Sequence, residues 1–127
     1  MIRVEIVETP LPPPGGTGIA AGHAGAVVEF HGIVRDHEDG RPIVAIEYEC
    51  HREMALHQLR SIAERTASTH GLIDLTIIHR VGTVPAGEGS LYVRAVASHR
   101  GEAFAGAAEL ISRMKEDVPI WKHPIES

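Results

Sequence analysis

Alternating apolar and polar positions predict a strand at the start of the chain, followed by a loop. Residues 2–6 alternate Ile, Val and Ile with Arg and Glu, which is typical of a strand with one buried face. Residues 10–18 contain four prolines and three glycines. Such a concentration of backbone-breaking residues predicts a loop.

Two pairs of β-branched, apolar runs predict four further strands. Residues 25–34 and 43–50 flank the polar segment 35–42, so we expect these two runs to form a hairpin. Residues 72–80 and 90–98 form the second pair, joined by a turn-rich segment.

Two stretches carry the spacing of amphipathic helices. The first covers about residues 51–69, ends at Gly71, and has an apolar stripe of Leu56, Leu59, Ile62 and Ala63. The second covers residues 102–117, is ended by Pro119, and has an expected inner face of Phe104, Ala107, Ala108, Ile111 and Met114. Residues 119–122 should then be extended. The order of elements predicts an α+β fold, with two main helices packed on a mostly antiparallel sheet, in a single domain over residues 1–127.

Composition narrows the classes of partner and compartment. A net charge of −5 and a pI near 6.0 argue against nonspecific binding to nucleic acid or to an anionic membrane. No apolar run approaches the ~18 residues of a membrane span, so we expect a soluble protein. Cys50 is the single cysteine, which excludes an internal disulfide and a zinc ribbon. A reducing, cytoplasmic location fits best.

The distribution of positive charge points to two lysines. The chain has ten arginines but only two lysines, Lys115 and Lys122, which lie close together beside the single tryptophan. A guanidinium differs from an ammonium mainly in being unable to give up its proton. Lys115 and Lys122 are therefore candidates for chemistry. The alternative is that both are solvated charges near a helix end, where a cation is favourable.

Three more cationic residues lie at the ends of predicted elements. Arg35 follows a strand, while His99 and Arg100 precede the second helix, whose free N–H groups could help hold a phosphate. Alternatively, Arg35 and Arg100 only form ion pairs with neighbouring acids. Residues 100 and 115 would be about 22 Å apart along a straight helix. They can share a small ligand only if the chain folds back or a second subunit contributes one of them.

Other kinds of site find little support. None of the nine histidines is three or four residues from another, so we predict no metal site and no cofactor. His79 is expected to end a strand as a structural residue. Residues 15–18 lack the spacing of a phosphate loop, and no serine or cysteine stands in a nucleophile motif.

Five ordered segments carry a family resemblance that covers about four fifths of the chain. They are GAVVEFHGIVR at 25–35, EYECHREMA at 47–55, HRVGTVPAGEGS at 79–90, ASHRGEAFAGA at 97–107 and MKEDVPIWK at 114–122. Together they resemble the large, catalytic subunit of molybdopterin synthase. The resemblance implies an α/β-hammerhead domain that forms a homodimer. It also implies a small ubiquitin-like sulfur-carrier partner on each subunit, which makes a heterotetramer.

The same resemblance implies the reaction. The partner's C-terminal Gly-Gly would carry a thiocarboxylate, and two sulfur transfers would convert cyclic pyranopterin monophosphate into molybdopterin. The family's substrate site falls on Ile33, Val34, Arg35, His99, Arg100, Lys115, Lys122, His123 and Pro124, with Lys115 and Lys122 as the catalytic pair. After Lys122 the family usually has a short residue and then an acid, whereas this chain has His123 and Pro124.

Two other functions fit the residues less well. One is a noncatalytic module that binds a partner's C-terminal tail in a cationic groove. The other is an enzyme in which Lys115 forms a Schiff base with a carbonyl substrate.

Overall fold

The computed structural model describes residues 1–15, 22 and 24–127, which form an α+β fold. The elements of this part of the chain are β1 (Ile2–Val7), β2 (Ala26–Ile33), β3 (His37–Glu38), β4 (Arg41–Cys50), α1 (Arg52–His70), β5 (Asp74–Arg80), β6 (Gly82–Pro85), β7 (Gly89–Ala97), α2 (Arg100–Asp117) and β8 (Ile120–Glu126). Of the expected loop, residues 10–15 are neither helix nor strand, and residues 16–18 lie outside the described residues.

The first sheet has the strand order β1-β5-β7-β2 and forms one wall of the main core. Strand β1 runs parallel to β5, and the other neighbours are antiparallel. The predicted pairing of the strands at 72–80 and 90–98 is confirmed by β5 and β7. The buried core joins this sheet to both helices through Val4, Ile6, Ala55, Leu59, Ile62, Leu75, Ile77, Val93, Ala95, Leu110 and Met114.

The second sheet has the order β3-β4-β6, with β8 paired to β4 as well. Its smaller core consists of Val34, Ile43, Ile46, Tyr48 and Val84. The α+β class with two helices and mostly antiparallel sheets is thus confirmed.

Local sequence features fix the helix ends. The side chain of His51 accepts a hydrogen bond from the Met54 N–H at 3.4 Å and so caps the start of α1. Gly71 ends α1 in the left-handed conformation, with φ 65°, as its position predicts. Gly106 lets α2 approach Leu72 closely, because a Cβ at that position would lie 3.0 Å from two Leu72 methyl carbons.

The predicted hairpin between residues 25–34 and 43–50 is wrong. Strand β2 pairs with β7, while β4 pairs with β3, β6 and β8 in the other sheet. Both runs are strands, because alternation reports which face of a strand is buried. It does not report which strand lies next to it. The short strand β6 also occupies a segment that we expected to be turn.

The second helix differs from its prediction in two ways. It begins at Arg100, with His99 as its N-cap residue, rather than at Glu102. Phe104 is 62% exposed and Ala108 is exposed, so their expected inward placement is wrong. The buried face is instead Ala103, Gly106, Ala107, Leu110 and Met114. These positions keep the three- and four-residue spacing of a helical stripe.

Candidate functional site

A cleft of about 690 Å³ opens between the C-terminal end of α2 and the strands of both sheets. Its apolar walls include Phe30, Ile33, Leu91, Ile111, Met114, Val118 and Ile120. Its cationic residues are Arg35, Lys115 and Lys122, and its neutral polar residues are Tyr48, His79 and Ser90. A cleft with apolar walls and a few convergent polar groups is the usual form of a small-molecule site.

The chain reversal after α2 brings the two lysines to this cleft. Lys115 lies in the last turn of the helix, where a cation is favourable. Val118 caps the helix through an N–H bond to the Met114 carbonyl at 3.1 Å, and Pro119 prevents the helix from continuing. The chain then runs back as β8, which sets Lys122 directly opposite Tyr48 of β4.

Arg35 reaches the cleft from the end of β2. Its Nη2 lies 3.9 Å from Oε2 of Glu38, and its side chain is 65% exposed. The acid beside it, Asp36, instead accepts a hydrogen bond from Nδ1 of His37 at 3.0 Å, and this bond holds the pKa of Asp36 below its usual range. An ion pair of this length, with one partner largely exposed, is weak. The Arg35 guanidinium is therefore available to an anionic ligand.

Both lysines of the cleft are exposed in the isolated chain. This chain alone therefore does not shield Lys115 from water. A ligand or partner that covers the cleft would exclude water and strengthen every charge interaction within it.

The floor of the cleft contains a histidine and a tyrosine that sequence reasoning missed as site residues. His79 of β5 is 8% exposed, and its Nδ1 lies 2.8 Å from the Arg80 carbonyl oxygen. Burial lowers the pKa of His79, and the hydrogen bond to Arg80 opposes this only in part. The Tyr48 and His79 rings meet edge to face, with centroids 5.3 Å apart. His79 therefore lines the cleft as well as standing near the end of a strand.

Tyr48 and Ser90 line the same cleft. Burial raises the pKa of the Tyr48 phenol, and a hydrogen bond with Ser90 opposes that shift. Ser90 Oγ in turn donates to the Gly32 carbonyl at 3.4 Å. Tyr48, His79 and Ser90 lie on three different strands, so only the strand pairing could have revealed them.

His99 and Arg100 lie elsewhere in the same chain. They line a separate pocket of about 530 Å³ at the N-terminal end of α2, together with Gly25, Ser98 and Gly101. His99 Nδ1 is 3.3 Å from Oε2 of Glu102, so the partner of this acid is His99. The length of α2 separates this pocket from Lys115, as the helix rise predicts.

Of the four remaining predicted site residues, Ile33 alone is among those that line the cleft. Ile33 lines it and is 51% exposed, whereas Val34 is buried in the smaller core. His123 and Pro124 continue β8 past Lys122 and are exposed. His123 Nε2 lies 3.7 Å from Oε2 of Glu49.

The described residues offer few other chemical groups. Within them, no cluster of three or more His, Cys, Asp or Glu side chains is placed to hold a metal ion. Burial raises the pKa of the Cys50 thiol, which disfavours the nucleophilic thiolate. Neither of the helices described here is long and apolar enough to cross a membrane.

Comparison with known proteins agrees with this architecture. The chain matches the family model of the MoaE protein over residues 16–117. The molybdopterin synthase from Staphylococcus aureus superposes with a TM-score of 0.87 at 31% identity, covering 97% of this chain and 90% of the other. A complex of subunits 1 and 2 of molybdopterin-converting factor from Helicobacter pylori gives a TM-score of 0.74, over 98% of this chain and 89% of that one. The two sequences are 20% identical, so this match shows the fold alone.

Sequence relatives point to the same family. The molybdopterin synthase catalytic subunit of Oryza sativa subsp. indica is 41% identical over 102 residues, which are 80% of this chain and 53% of the rice protein. The chain thus spans about half the length of that relative. The chain belongs to the MoaE protein family.

Proposed function

We propose that this chain is the catalytic subunit of a molybdopterin synthase and acts as one domain over residues 1–127. Its substrate is cyclic pyranopterin monophosphate, and its product is the dithiolene molybdopterin. The observation that carries this proposal is the convergence of Arg35, Lys115 and Lys122, from three separate segments, on one cleft. The names of the rice and Staphylococcus aureus relatives support it.

The sulfur donor is a small ubiquitin-like partner whose C-terminal Gly-Gly carries a thiocarboxylate. The cationic residues of the cleft favour the negative end of such a tail, and the apolar walls fit a segment that has no polar side chains. Glycine suits the last two positions of the tail because its backbone can pass through a narrow channel.

Each sulfur transfer exchanges a bond at the pterin and a bond at the partner. The thiocarboxylate sulfur forms a bond to a carbon of the pterin side chain, and the carbon–oxygen bond at that carbon breaks; the oxygen leaves as water in one transfer and stays with the phosphate in the other. Water then breaks the acyl–sulfur bond, so the sulfur stays on the pterin and the partner leaves as a carboxylate. A second partner molecule repeats these steps at the neighbouring carbon.

The cationic residues have separate roles in this scheme. Lys115 moves protons at the acyl–sulfur bond or briefly captures the acyl group, both of which need an amine. Lys122 stabilises the thiocarboxylate and the charge that develops during transfer. Arg35 holds substrate oxygens, while Ile33, His123 and Pro124 contact the substrate or tail around the cleft, and buried Val34 fixes the backbone that presents Arg35.

His99 and Arg100 would complete the site from a second copy of the chain. Their pocket combines a cationic fork with a helix N-terminus, which suits a phosphate group. Because one helix length separates them from Lys115 in the same chain, a two-fold dimer is the simplest arrangement that joins the two sets. With one partner on each subunit, the working assembly is a heterotetramer.

The reaction belongs in the cytoplasm. The chain has a single cysteine and therefore no internal disulfide, which fits a reducing compartment.

Reconstitution tests the proposed function directly. The chain is mixed with the thiocarboxylated partner and cyclic pyranopterin monophosphate, and dithiolene product is expected. Binding of the partner without product would instead indicate a tail-binding module. A lysine adduct trapped by borohydride with a carbonyl compound, again without sulfur transfer, would indicate a Schiff-base enzyme.

A further inference from the structure

His79 presents one nitrogen to the protein and keeps the other for the cleft. The Arg80 carbonyl, 2.8 Å from Nδ1, can only accept a hydrogen bond, so Nδ1 must donate its proton. A neutral imidazole then carries its lone pair on Nε2. Among the described residues, Nε2 has no hydrogen-bond partner and is not one of the buried polar atoms cut off from solvent. Because His79 lines the cleft, Nε2 is the acceptor of this ring for a ligand that enters.

The surroundings of His79 favour this neutral state. The ring is largely buried, and Arg35, Lys115 and Lys122 line the same cleft, so a further positive charge would be costly there. The cleft therefore combines cationic residues, which attract anions, with an uncharged acceptor, which attracts an N–H or O–H group.

Tyr48 fixes the orientation of this acceptor. Its ring packs edge to face on His79 at an interplanar angle of 72°. Its own position is fixed by its burial in the smaller core and by its place opposite Lys122 in the β4–β8 register. Such packed support is what holds a binding group in a productive geometry.

We propose that Nε2 of His79 accepts a hydrogen bond from an N–H donor of the ligand in the cleft, which makes His79 a specificity-determining residue and Tyr48 its positioning residue. The inference rests on the proposed function for its ligands. Two ligands carry suitable donors. The pterin has ring N–H groups, and the partner's terminal Gly-Gly has backbone amides.

Two substitutions separate this role from a structural one. In His79→Asn, the side-chain amide can still donate to the Arg80 carbonyl, but nothing replaces Nε2. In His79→Gln, the longer amide can offer an acceptor near the position of Nε2, but the bond to Arg80 is lost. His57→Asn, on the exposed surface of α1, is the matched control.

Binding is measured by calorimetry in two separate titrations. One uses cyclic pyranopterin monophosphate, and the other uses the partner in its carboxylate form, with a partner lacking the two glycines for comparison. His79→Asn should weaken one titration about tenfold, as expected when a hydrogen bond to a buried group is lost. His79→Gln should bind that ligand more tightly than His79→Asn does. It should also melt at a lower temperature than His79→Asn, because it lacks the bond to Arg80.

The affected titration identifies the donor. Weakening with the pterin assigns a ring N–H, whereas weakening with the partner that disappears for the shortened partner assigns a tail amide. Normal binding of both ligands by His79→Asn would overturn the inference and leave the proposed function intact. If the wild-type chain binds neither ligand, the proposed function fails, and the inference fails with it.

A spectroscopic test on the wild-type chain covers the case in which the variants do not fold. In the chain labelled with ¹⁵N-histidine, the Nε2 signal of His79 should be that of an unprotonated nitrogen and should shift when the ligand donates to it. An unmoved signal at saturation with both ligands would overturn the inference.

Discussion

Replacing Arg35 by alanine should weaken binding of cyclic pyranopterin monophosphate by about tenfold. A net hydrogen bond to a charged group contributes about 1.5–3 kcal/mol. The Arg35 side chain is 65% exposed, so water weakens its interactions and the lower end of that range applies. A loss of about 1.4 kcal/mol corresponds to a tenfold change in Kd.

The ion pair with Glu38 sets an internal comparison for this prediction. The two groups are 3.9 Å apart and the Arg35 side chain is 65% exposed, so the pair should be worth about 0–1 kcal/mol. Glu38→Gln should therefore leave Kd within about fivefold of wild type, on the side of tighter binding, because Arg35 loses a competing acid.

Calorimetry of the pterin with each variant measures these effects. Arg60→Ala, on the exposed surface of α1, removes an equal charge away from the cleft and is the control. The difference between Arg35→Ala and wild type should shrink as salt is added, because exposed charges are screened. Equal affinity for Arg35→Ala and Arg60→Ala would refute the placement of the anion at Arg35.

Three further outcomes are expected. Lys122→Ala should lower the affinity for substrate and tail more than it lowers the single-turnover rate of sulfur transfer, as expected for a point-charge contact. An unchanged affinity with abolished transfer would instead show that Lys122 acts in the chemical step. Arg100→Ala and Lys115→Arg should each be poorly active alone, yet mixed dimers should regain activity because one of their two shared pockets is intact; no recovery after subunit exchange would contradict the shared site. The wild-type chain should lose stability relative to His79→Asn as pH falls below about 6.5, because the unfolded imidazole then binds a proton and the buried His79, whose pKa is lowered, does not. Urea unfolding measures the free energy of unfolding of both chains. A difference between the two free energies that stays constant from about pH 7.5 to about pH 5.5 would contradict this prediction.

Strands and helices could largely be predicted from the sequence because their signals are local. The alternation at residues 2–6 and the stripe of Leu59, Ile62 and Ala63 report burial, and both appear in the structure. The pairing of β2 with β7 could not be predicted in this way, because it depends on contacts between residues far apart in the chain. Strand β6 was missed because its four residues are rich in turn formers.

The candidate site divides along the same line. The rarity of lysine pointed to Lys115 and Lys122, and the structure brings both to one cleft with Arg35. His79 carried no comparable signal, since a histidine at a strand end is usually structural. Its place beside Tyr48 arises only when β4 and β5 meet across the two sheets. For His99 and Arg100, the helix rise already indicated that one chain cannot bring them to Lys115.

The most direct test of the proposed sulfur transfer counts sulfur in a reconstituted reaction. Wild-type chain, thiocarboxylated partner and cyclic pyranopterin monophosphate are mixed, and both the dithiolene and the partner's carboxylate form are measured by mass spectrometry. A dithiolene contains two sulfurs and each partner delivers one, so two partners should be converted for each molybdopterin formed. Lys115→Arg keeps the charge but not the exchangeable amine, so it should form neither the dithiolene nor the partner's carboxylate form. Dithiolene formed by Lys115→Arg at near the wild-type rate, or no dithiolene from the wild-type chain, would contradict a sulfur-transfer site at this cleft.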